Sequence, residues 1–127
     1  DIKAHKPSLI IFEINIDNLM PYSMQVVKYR PMPKYPFVER DTAIIVDEMV
    51  ESAALMRLLK SYTSDLIEDI YIFDVYKGKS IPDGKKSIAF NVRYRALDRT
   101  LKDDEIDALH SSLVDYILKK TNGQLRQ

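Results

Sequence analysis

Residues 66–96 contain two long strand-like segments separated by a short turn, a pattern that predicts a β-hairpin. The first segment, "LIEDIYIFDVYK", and the second, "KKSIAFNVRYRA", are rich in β-branched and aromatic residues. Between them, residues 78–84 hold two of the three glycines of the chain and a proline, which favour a turn. An amphipathic helix is predicted on each side of this hairpin, over residues 50–62 and from Thr100 onward.

The remaining elements complete a recognisable order. A short strand over 41–47 precedes the first helix, and the "QLR" segment after the second helix adds a short last strand. Thr100 is predicted to cap the second helix, with Asp103 three residues later, and Gly123 to follow its last turn. The order β-α-β-β-α-β predicts an α+β fold of the ferredoxin-like class. Such a fold is a sandwich of a four-stranded antiparallel sheet with two helices on one face.

The N-terminal part of the chain is predicted to be a separate extension. Residues 9–16, "LIIFEINI", have the composition of a buried strand. Three prolines within residues 28–36 indicate an extended, semi-rigid connector. We therefore expect residues 1–33 to be an extension and connector from a preceding module, and residues 34–127 to form the domain. Because the chain does not begin with methionine, we expect it to be a piece of a longer protein.

Composition limits the classes of function. The chain has 127 residues, of which 46% are hydrophobic and 30% charged, values that suit one soluble domain. It has no cysteine, and no apolar run approaches the length of a membrane helix, so neither a thiolate metal site nor a membrane partner is expected. His5 and His110 are the only histidines, and no triad or carboxylate pair stands out. We predict no catalytic residue and no metal site.

Strand alternation predicts which side chains face away from the helices. In the first long strand it groups Ile70 and Ile72 with Asp74 and Tyr76, and it groups Tyr71, Phe73 and Val75 on the opposite face. Because an unpaired carboxylate is costly to bury, Asp74 should lie on the face without helices. In the return strand the apolar set (Ile88, Phe90, Val92, Tyr94) should face the helices. The open face should then carry Ser87, Ala89, Asn91, Arg93 and Arg95.

The proposed open face combines an acceptor, an aromatic ring, a hydroxyl group and nearby cations. Residues 76–99 carry seven basic and only two acidic side chains, although the whole chain has zero net charge. Such groups suit an unpaired nucleotide, whose base stacks on an aromatic ring and whose edge is read by hydrogen bonds. A carboxylate accepts from the N–H donors of guanine. A sheet face that packs on a neighbouring domain, with Asp74 bridged to a basic side chain, explains the same residues.

Two segments carry a resemblance to a known family. The runs "KYPFVERDTAIIVDE" and "IFDVYKGKSIPDGKKSIAFNVRYRALDRTLKDDEID" resemble the ferredoxin-fold anticodon-binding domain at the C-terminus of bacterial phenylalanyl-tRNA synthetase beta chains. The resemblance covers about residues 34–126 in unbroken order. Thr42 departs from it, because the family commonly has leucine there.

The resemblance implies specific site residues. In the family, an aromatic residue, a carboxylate and a serine surround the first anticodon base, a guanine. By motif these correspond to Tyr76, Asp74 and Ser87, the three residues that alternation also places together. A wider set of candidate RNA contacts comprises Lys77, Lys79, Lys85, Lys86, Ala89, Asn91 and Arg93, without a phosphate role fixed for any one lysine.

The resemblance also implies a parent enzyme. The family ligase is an α2β2 assembly in the cytoplasm that joins phenylalanine to its tRNA with ATP and magnesium. Its active site lies in the alpha chain, so this fragment would be non-catalytic and hold no cofactor. The expected partners are the anticodon stem-loop of the phenylalanine tRNA, the alpha subunit and a second beta subunit. The alternatives are a ferredoxin-like module that binds a small molecule and one that assembles subunits.

Overall fold

The computed structural model describes residues 11–23 and 32–126. The chain divides into two compact units, Asp1–Met32 and Pro33–Gln127. The predicted strand over residues 9–16 is wrong where it is described, because residues 11–15 are irregular and helix α1 spans Ile16–Ser23. Asn15 explains the helix start, since its Oδ1 accepts from the backbone N–H of Asn18 at 3.3 Å, a typical N-cap contact.

The second unit contains four strands and two helices. The first half comprises β1 (Val38–Asp47), α2 (Ser52–Ser61) and β2 (Ile67–Tyr76). The second half comprises β3 (Lys85–Tyr94), α3 (Asp103–Thr121) and β4 (Gln124–Leu125). The sheet order is β2-β3-β1-β4, and all neighbouring strands are antiparallel. The predicted ferredoxin-like α+β fold is confirmed.

Both helices pack on the same face of the sheet. Ile44 of β1 and Phe90 of β3 lie there fully buried, in one cluster with Leu55 of α2 and Ile106 of α3. The opposite face is called the open face, because neither α2 nor α3 packs on it. Its residues in the two central strands are Glu39, Asp41, Ala43, Ile45 and Asp47 of β1 and Lys85, Ser87, Ala89, Asn91 and Arg93 of β3.

The start of α3 differs from the prediction, whereas Gly123 follows the end of the helix as predicted. The N-cap residue is Lys102 rather than Thr100, and it makes no side-chain capping bond, so acidic residues in the first turn stabilise this end through the helix dipole. At the other end Asn122, not Gly123, adopts the left-handed conformation, with φ of 50°. Gly123 is required for a close approach instead, since a Cβ there would lie 3.1 Å from the carbonyl oxygen of Ile45.

Candidate nucleic-acid interface

A β-bulge in β2 decides which of its side chains reach the open face. Ile72 pairs with Phe90, and Asp74 pairs with Ala89, the neighbour of Phe90 in β3. Phe73 is therefore an extra residue that has no partner in β3. A bulge inserts one residue into one strand and so resets the alternation beyond it. Asp74 and Tyr76 therefore lie on the face opposite to Ile72.

The bulge corrects half of the alternation argument. Ile70 and Ile72 were predicted to share a face with Asp74, but Ile70 pairs with Val92 on the helix-covered face and is only 6% exposed. Tyr71 was predicted to face the helices, but it pairs with Asn91 on the open face and is 41% exposed. Strict alternation misplaced Ile70, Ile72 and Tyr71 because it assumes that every residue of β2 has a partner in β3, and Phe73 has none.

Asp74, Tyr76 and Ser87 nevertheless lie together on the open face, as predicted. Tyr76 pairs directly with Ser87, and Asp74 pairs with Ala89 one step along the same face. Asp74 is exposed, and no ion pair within residues 11–23 and 32–126 involves it. Its carboxylate is therefore accessible as a hydrogen-bond acceptor. The other member of its row, Ala43, pairs with Ala89, so two small side chains form a shallow floor beside Asp74.

Arg126 is a residue of this cluster that the sequence argument missed. Its guanidinium carbon lies 5.2 Å from the ring centroid of Tyr76, and its Nη1 donates to Ser87 Oγ at 3.3 Å. Ser87 is only 2% exposed, although it lies on the open face. The signal was the continuation of β4: Leu125 pairs with Ile44, which places the next residue on the open face. A two-residue strand has no register that sequence alone can fix.

Gly78 was also missed. A Cβ at this position would lie 2.1 Å from the hydroxyl oxygen of Tyr76 and 2.4 Å from its Cζ. The Tyr76 ring thus lies directly against the backbone of the turn, in space that only glycine leaves free. The spacing "YKG" is the sequence signal for this contact.

Most of the predicted cations are already paired with acidic side chains. Lys77 forms an ion pair with Glu48, and this hydrogen bond lowers the pKa of the Glu48 carboxyl. Lys85 lies 3.7 Å from a carboxylate oxygen of Asp47. Lys79, which is exposed, forms no ion pair among the residues that the structure describes.

Lys86 does not belong to the open face. It pairs with Val46, which lies in the core on the helix-covered side, and it is only 9% exposed. Adjacent residues of a strand point to opposite faces, so Lys86 and Ser87 cannot both serve one surface. Among the predicted contacts, Lys86 is the one that the structure separates from the others.

The far end of the open face holds a second group of polar and aromatic side chains. Arg93 lies 4.4 Å over the ring centroid of Phe37 and donates to Glu39, with a shortest distance of 2.7 Å. That hydrogen bond to Glu39 raises the pKa of Arg93 further, so the guanidinium stays charged. Asn91 lies between this end and Ser87, and its Nδ2 donates to Asp41 Oδ1 at 2.8 Å.

The histidine within the described residues lies away from this surface. His110 Nε2 is 2.6 Å from Thr42 Oγ1, and His110 Nδ1 is 2.8 Å from the Tyr94 hydroxyl. Thr42, the residue that departs from the family pattern, therefore has a structural role on the helix side of the sheet. Residues 11–23 and 32–126 contain no group of three or more acidic or histidine side chains arranged to bind a metal ion. Within the same ranges, no helix is both long and apolar enough to cross a membrane.

Comparisons with known proteins identify chains that are similar over most of this sequence. The family described as "Ferredoxin-fold anticodon binding domain" matches residues 33–126. A phenylalanine–tRNA ligase beta subunit of Geobacillus kaustophilus is 40% identical over 91% of this chain and 14% of its own length. The corresponding subunit of Syntrophotalea carbinolica is 44% identical over 77% of this chain and 12% of its own length. The chain thus spans about one seventh of the curated relatives it matches.

Proposed function

The chain belongs to the family of ferredoxin-fold anticodon-binding domains, and we propose that its open face binds the anticodon loop of a transfer RNA. The observation that carries the proposal is the bulge at Phe73, which brings Asp74 and Tyr76 beside Ser87 on the sheet face opposite to α2 and α3. Residues 34–127 form the binding domain in this proposal, and residues 1–33 form its extension.

Each of the three residues has a distinct task. Tyr76 stacks on the first anticodon base, a contact that contributes about 1–3 kcal/mol per base. The Asp74 carboxylate accepts from the N1–H and the N2 amino group of guanine, because the carboxylate itself is a pure acceptor. Ser87 lies beneath, where Arg126 now holds its hydroxyl oxygen. Arg126 lies over the Tyr76 ring, with its guanidinium carbon 5.2 Å from the ring centroid, so the base stacks on the part of the ring that stays exposed.

The wider set divides according to position. Lys79 offers a cation toward the RNA backbone, with Lys77, Lys85 and Arg93 available after exchange of their carboxylate partners. Ala89 forms the floor, and Asn91 extends the surface. Lys86 is left out of the proposed interface because of its position on the helix side.

The proposed parent protein is a phenylalanine–tRNA ligase, of which this chain is part of the beta subunit. In that enzyme, an α2β2 assembly of the cytoplasm, ATP and magnesium serve the ligation reaction outside this chain. We assign no residue of this chain a part in binding ATP or magnesium or in catalysis. The contribution of the domain is to recognise the tRNA-Phe anticodon stem-loop.

The test uses the 127-residue chain and an anticodon stem-loop whose first anticodon base is guanine, inosine or adenine. Inosine lacks only the N2 amino group, so wild-type chain should bind it more weakly than guanine. Asp74→Asn should remove most of this preference, because a charge-assisted hydrogen bond contributes about 1.5–3 kcal/mol. Tyr76→Ala should weaken the binding of all three stem-loops, whereas Tyr76→Phe should preserve stacking.

Asp104→Asn is the matched control, since it makes the same charge change at an exposed position of α3. It should leave the order of the three loops unchanged. Equal binding of guanine and adenine loops by the wild-type chain would show that Asp74 does not read the base. Loss of self-association in Tyr76→Ala, with unchanged RNA binding, would instead favour an assembly module.

A further inference from the structure

We propose that Tyr71 and Asn91 form a second nucleotide subsite on the open face, which selects a base that carries an exocyclic amino group. This inference rests on the proposed function and concerns a different nucleotide of the same RNA. Its starting point is an unusual atom: Asn91 Oδ1 is buried and has no hydrogen-bond partner among the described residues. Asn91 as a whole is only 4% exposed.

An unpaired buried acceptor is costly, because folding removes its water and supplies nothing in exchange. The other half of the carboxamide is satisfied, since Nδ2 donates to Asp41 Oδ1 at 2.8 Å. This contact also fixes which way the amide points. A flipped amide would place the Asn91 oxygen against the carboxylate of Asp41, and two acceptors repel each other. The unpaired atom is therefore the carboxamide oxygen of Asn91, which can accept a hydrogen bond from a ligand.

Tyr71 supplies the stacking surface next to this acceptor. It is the cross-strand partner of Asn91 in β2, and Asp41 is the partner of Asn91 in β1, so the three residues form one row across the open face. Side chains directly opposite each other in such pairs are in contact range. The Tyr71 ring is substantially exposed and makes an edge contact with Phe73, with centroids 6.4 Å apart. Because the Asn91 oxygen is buried, a ligand reaches it only after a neighbouring side chain moves, and we infer that the exposed Tyr71 ring is the one that moves and then stacks on the base.

The chemistry of the row selects the ligand. A lone acceptor beside an aromatic ring fits a planar group with an outward N–H₂, such as the amino group of adenine or cytosine. Uracil presents carbonyl oxygens where these bases carry the amino group, and an oxygen would face the Asn91 oxygen without a hydrogen between them. The neighbouring carboxylate of Asp41 disfavours a phosphate group in the same place. The subsite thus takes a base rather than the RNA backbone.

The subsite is distinct from the one at Tyr76. Asn91 lies four positions after Ser87 in β3, a distance of about 13 Å at the usual rise per residue. A stacked base is about 3.4 Å thick, so one base cannot occupy both places. Between them lie Ala43 and Ala89, whose small side chains leave room for the RNA strand to continue along the face.

The decisive probe changes the RNA and leaves the protein intact. In an anticodon stem-loop with guanine at the first position, each following loop position carries in turn adenine, purine (which lacks only the amino group) or uracil. At one position purine should bind wild-type chain about two- to tenfold more weakly than adenine, the loss of one neutral hydrogen bond. Asn91→Ala should remove this difference between adenine and purine.

Tyr71 is tested in parallel. Tyr71→Ala should weaken binding by about fivefold or more, whereas Tyr71→Phe should bind as the wild type does, because stacking needs the ring and not the hydroxyl group. A thermal unfolding curve for each variant establishes that it is folded at the temperature of the binding measurement.

The outcomes separate this inference from the proposed function. If purine equals adenine at every position while inosine at the first position still weakens binding, the subsite is refuted and guanine reading at Asp74 stands. A purine effect that persists in Asn91→Ala also refutes it, because the acceptor must then be another group. If neither the inosine loop nor any purine loop differs from its parent, guanine reading at Asp74 and the Asn91 subsite both fail.

Discussion

The orientation of the Tyr76 ring depends on a glycine two residues later in the chain. The ring occupies the space in which any other residue at position 78 would place its Cβ. Because Tyr76 is partly exposed, the ring can move away without disturbing the core. Gly78 therefore affects the geometry of the proposed stacking surface more than it affects the stability of the fold.

Gly78→Ala should weaken binding of the guanine stem-loop by about 1 kcal/mol or more, part of the stacking contribution, while the free energy of unfolding changes little. Gly84→Ala is the opposite case. Gly84 has a φ of 75° and open space around its Cα, so an alanine there costs about 1 kcal/mol of stability through backbone strain and leaves Tyr76 untouched. Urea unfolding together with RNA titration separates the two effects. Equal RNA affinity in Gly78→Ala and the wild type would show that the ring contact is unimportant.

His110 gives the fold a dependence on pH. Burial lowers the pKa of its imidazole, and the Arg40 guanidinium lowers it further, whereas Asp107 acts in the opposite direction. Thr42 and the Tyr94 hydroxyl contact its two ring nitrogens. The folded state therefore favours neutral histidine, and the unfolded state binds the proton more readily.

The stabilisation by neutral His110 should be complete above about pH 6.5, the ordinary histidine value, and should decrease as pH falls through the lower pKa of the folded state. The free energy of unfolding, measured by urea denaturation at several pH values, should show this loss. In His110→Gln, the free energy of unfolding should lose the part of its pH dependence that comes from the imidazole. The part that comes from the carboxylates should remain. An unchanged slope would show that the protonated imidazole is equally well accommodated in the fold.

At the scale of the elements, the order of strands and helices in the domain followed from the sequence because every element except the two-residue β4 has a clear period. Within the "LIIFEINI" segment, residues 11–16 were misread because a short apolar run does not distinguish strand from helix. The cap of Asn15 was the stronger local signal. For β2, the aliphatic residues Ile67, Ile70, Ile72 and Val75 are spaced by three, two and three. Each spacing of three spans a register shift.

The sequence predicts which candidate residues lie next to each other only where the strands pair without an irregularity. Asp74, Tyr76 and Ser87 were placed correctly because all three lie beyond the bulge, on strands with a predicted turn between them. Tyr71 was misplaced because it lies before the bulge. Arg126 depends on the register of β4, which comes from the close approach at Gly123 and not from a pattern in the sequence.

The bulge itself can be tested by deletion. Without Phe73, Ile72 still pairs with Phe90 and Asp74 still follows on the open face, since the deleted residue has no partner in β3. This deletion should preserve the preference for guanine over inosine. Deletion of Val75 should instead turn either Tyr76 or Asp74 toward the helices and remove the preference, with loss of about 1–3 kcal/mol of stacking where Tyr76 turns. Loss of the preference on deletion of Phe73, with retention on deletion of Val75, would contradict the assignment of Phe73 as the bulge residue.

For the domain as a whole, the cluster of positive charge is largely cancelled by the fold. Five of the seven basic side chains between residues 76 and 99 form ion pairs with acids from elsewhere in the domain: Lys77, Lys85, Arg93, Arg95 and Arg99. The acids come from β1, the segment after it, β2 and α3, which lie far apart in sequence from most of their partners. A paired cation must give up or share its carboxylate before it neutralises a phosphate, so the excess visible in the sequence overstates the attraction for RNA.

The salt dependence of RNA binding measures this cancellation directly. For single-stranded RNA the logarithm of the association constant falls with the logarithm of salt concentration by about 0.7 per phosphate neutralised. Seven free cations would give a slope of about −5, whereas contacts by Lys79 and Arg126 alone give about −1.4. We expect the shallow value for the guanine stem-loop between about 50 and 200 mM salt. Lys79→Gln should reduce the slope by about 0.7, and Lys77→Gln should reduce it less, because Glu48 already neutralises that charge. A slope steeper than about −3 would mean that the ion pairs open when RNA binds.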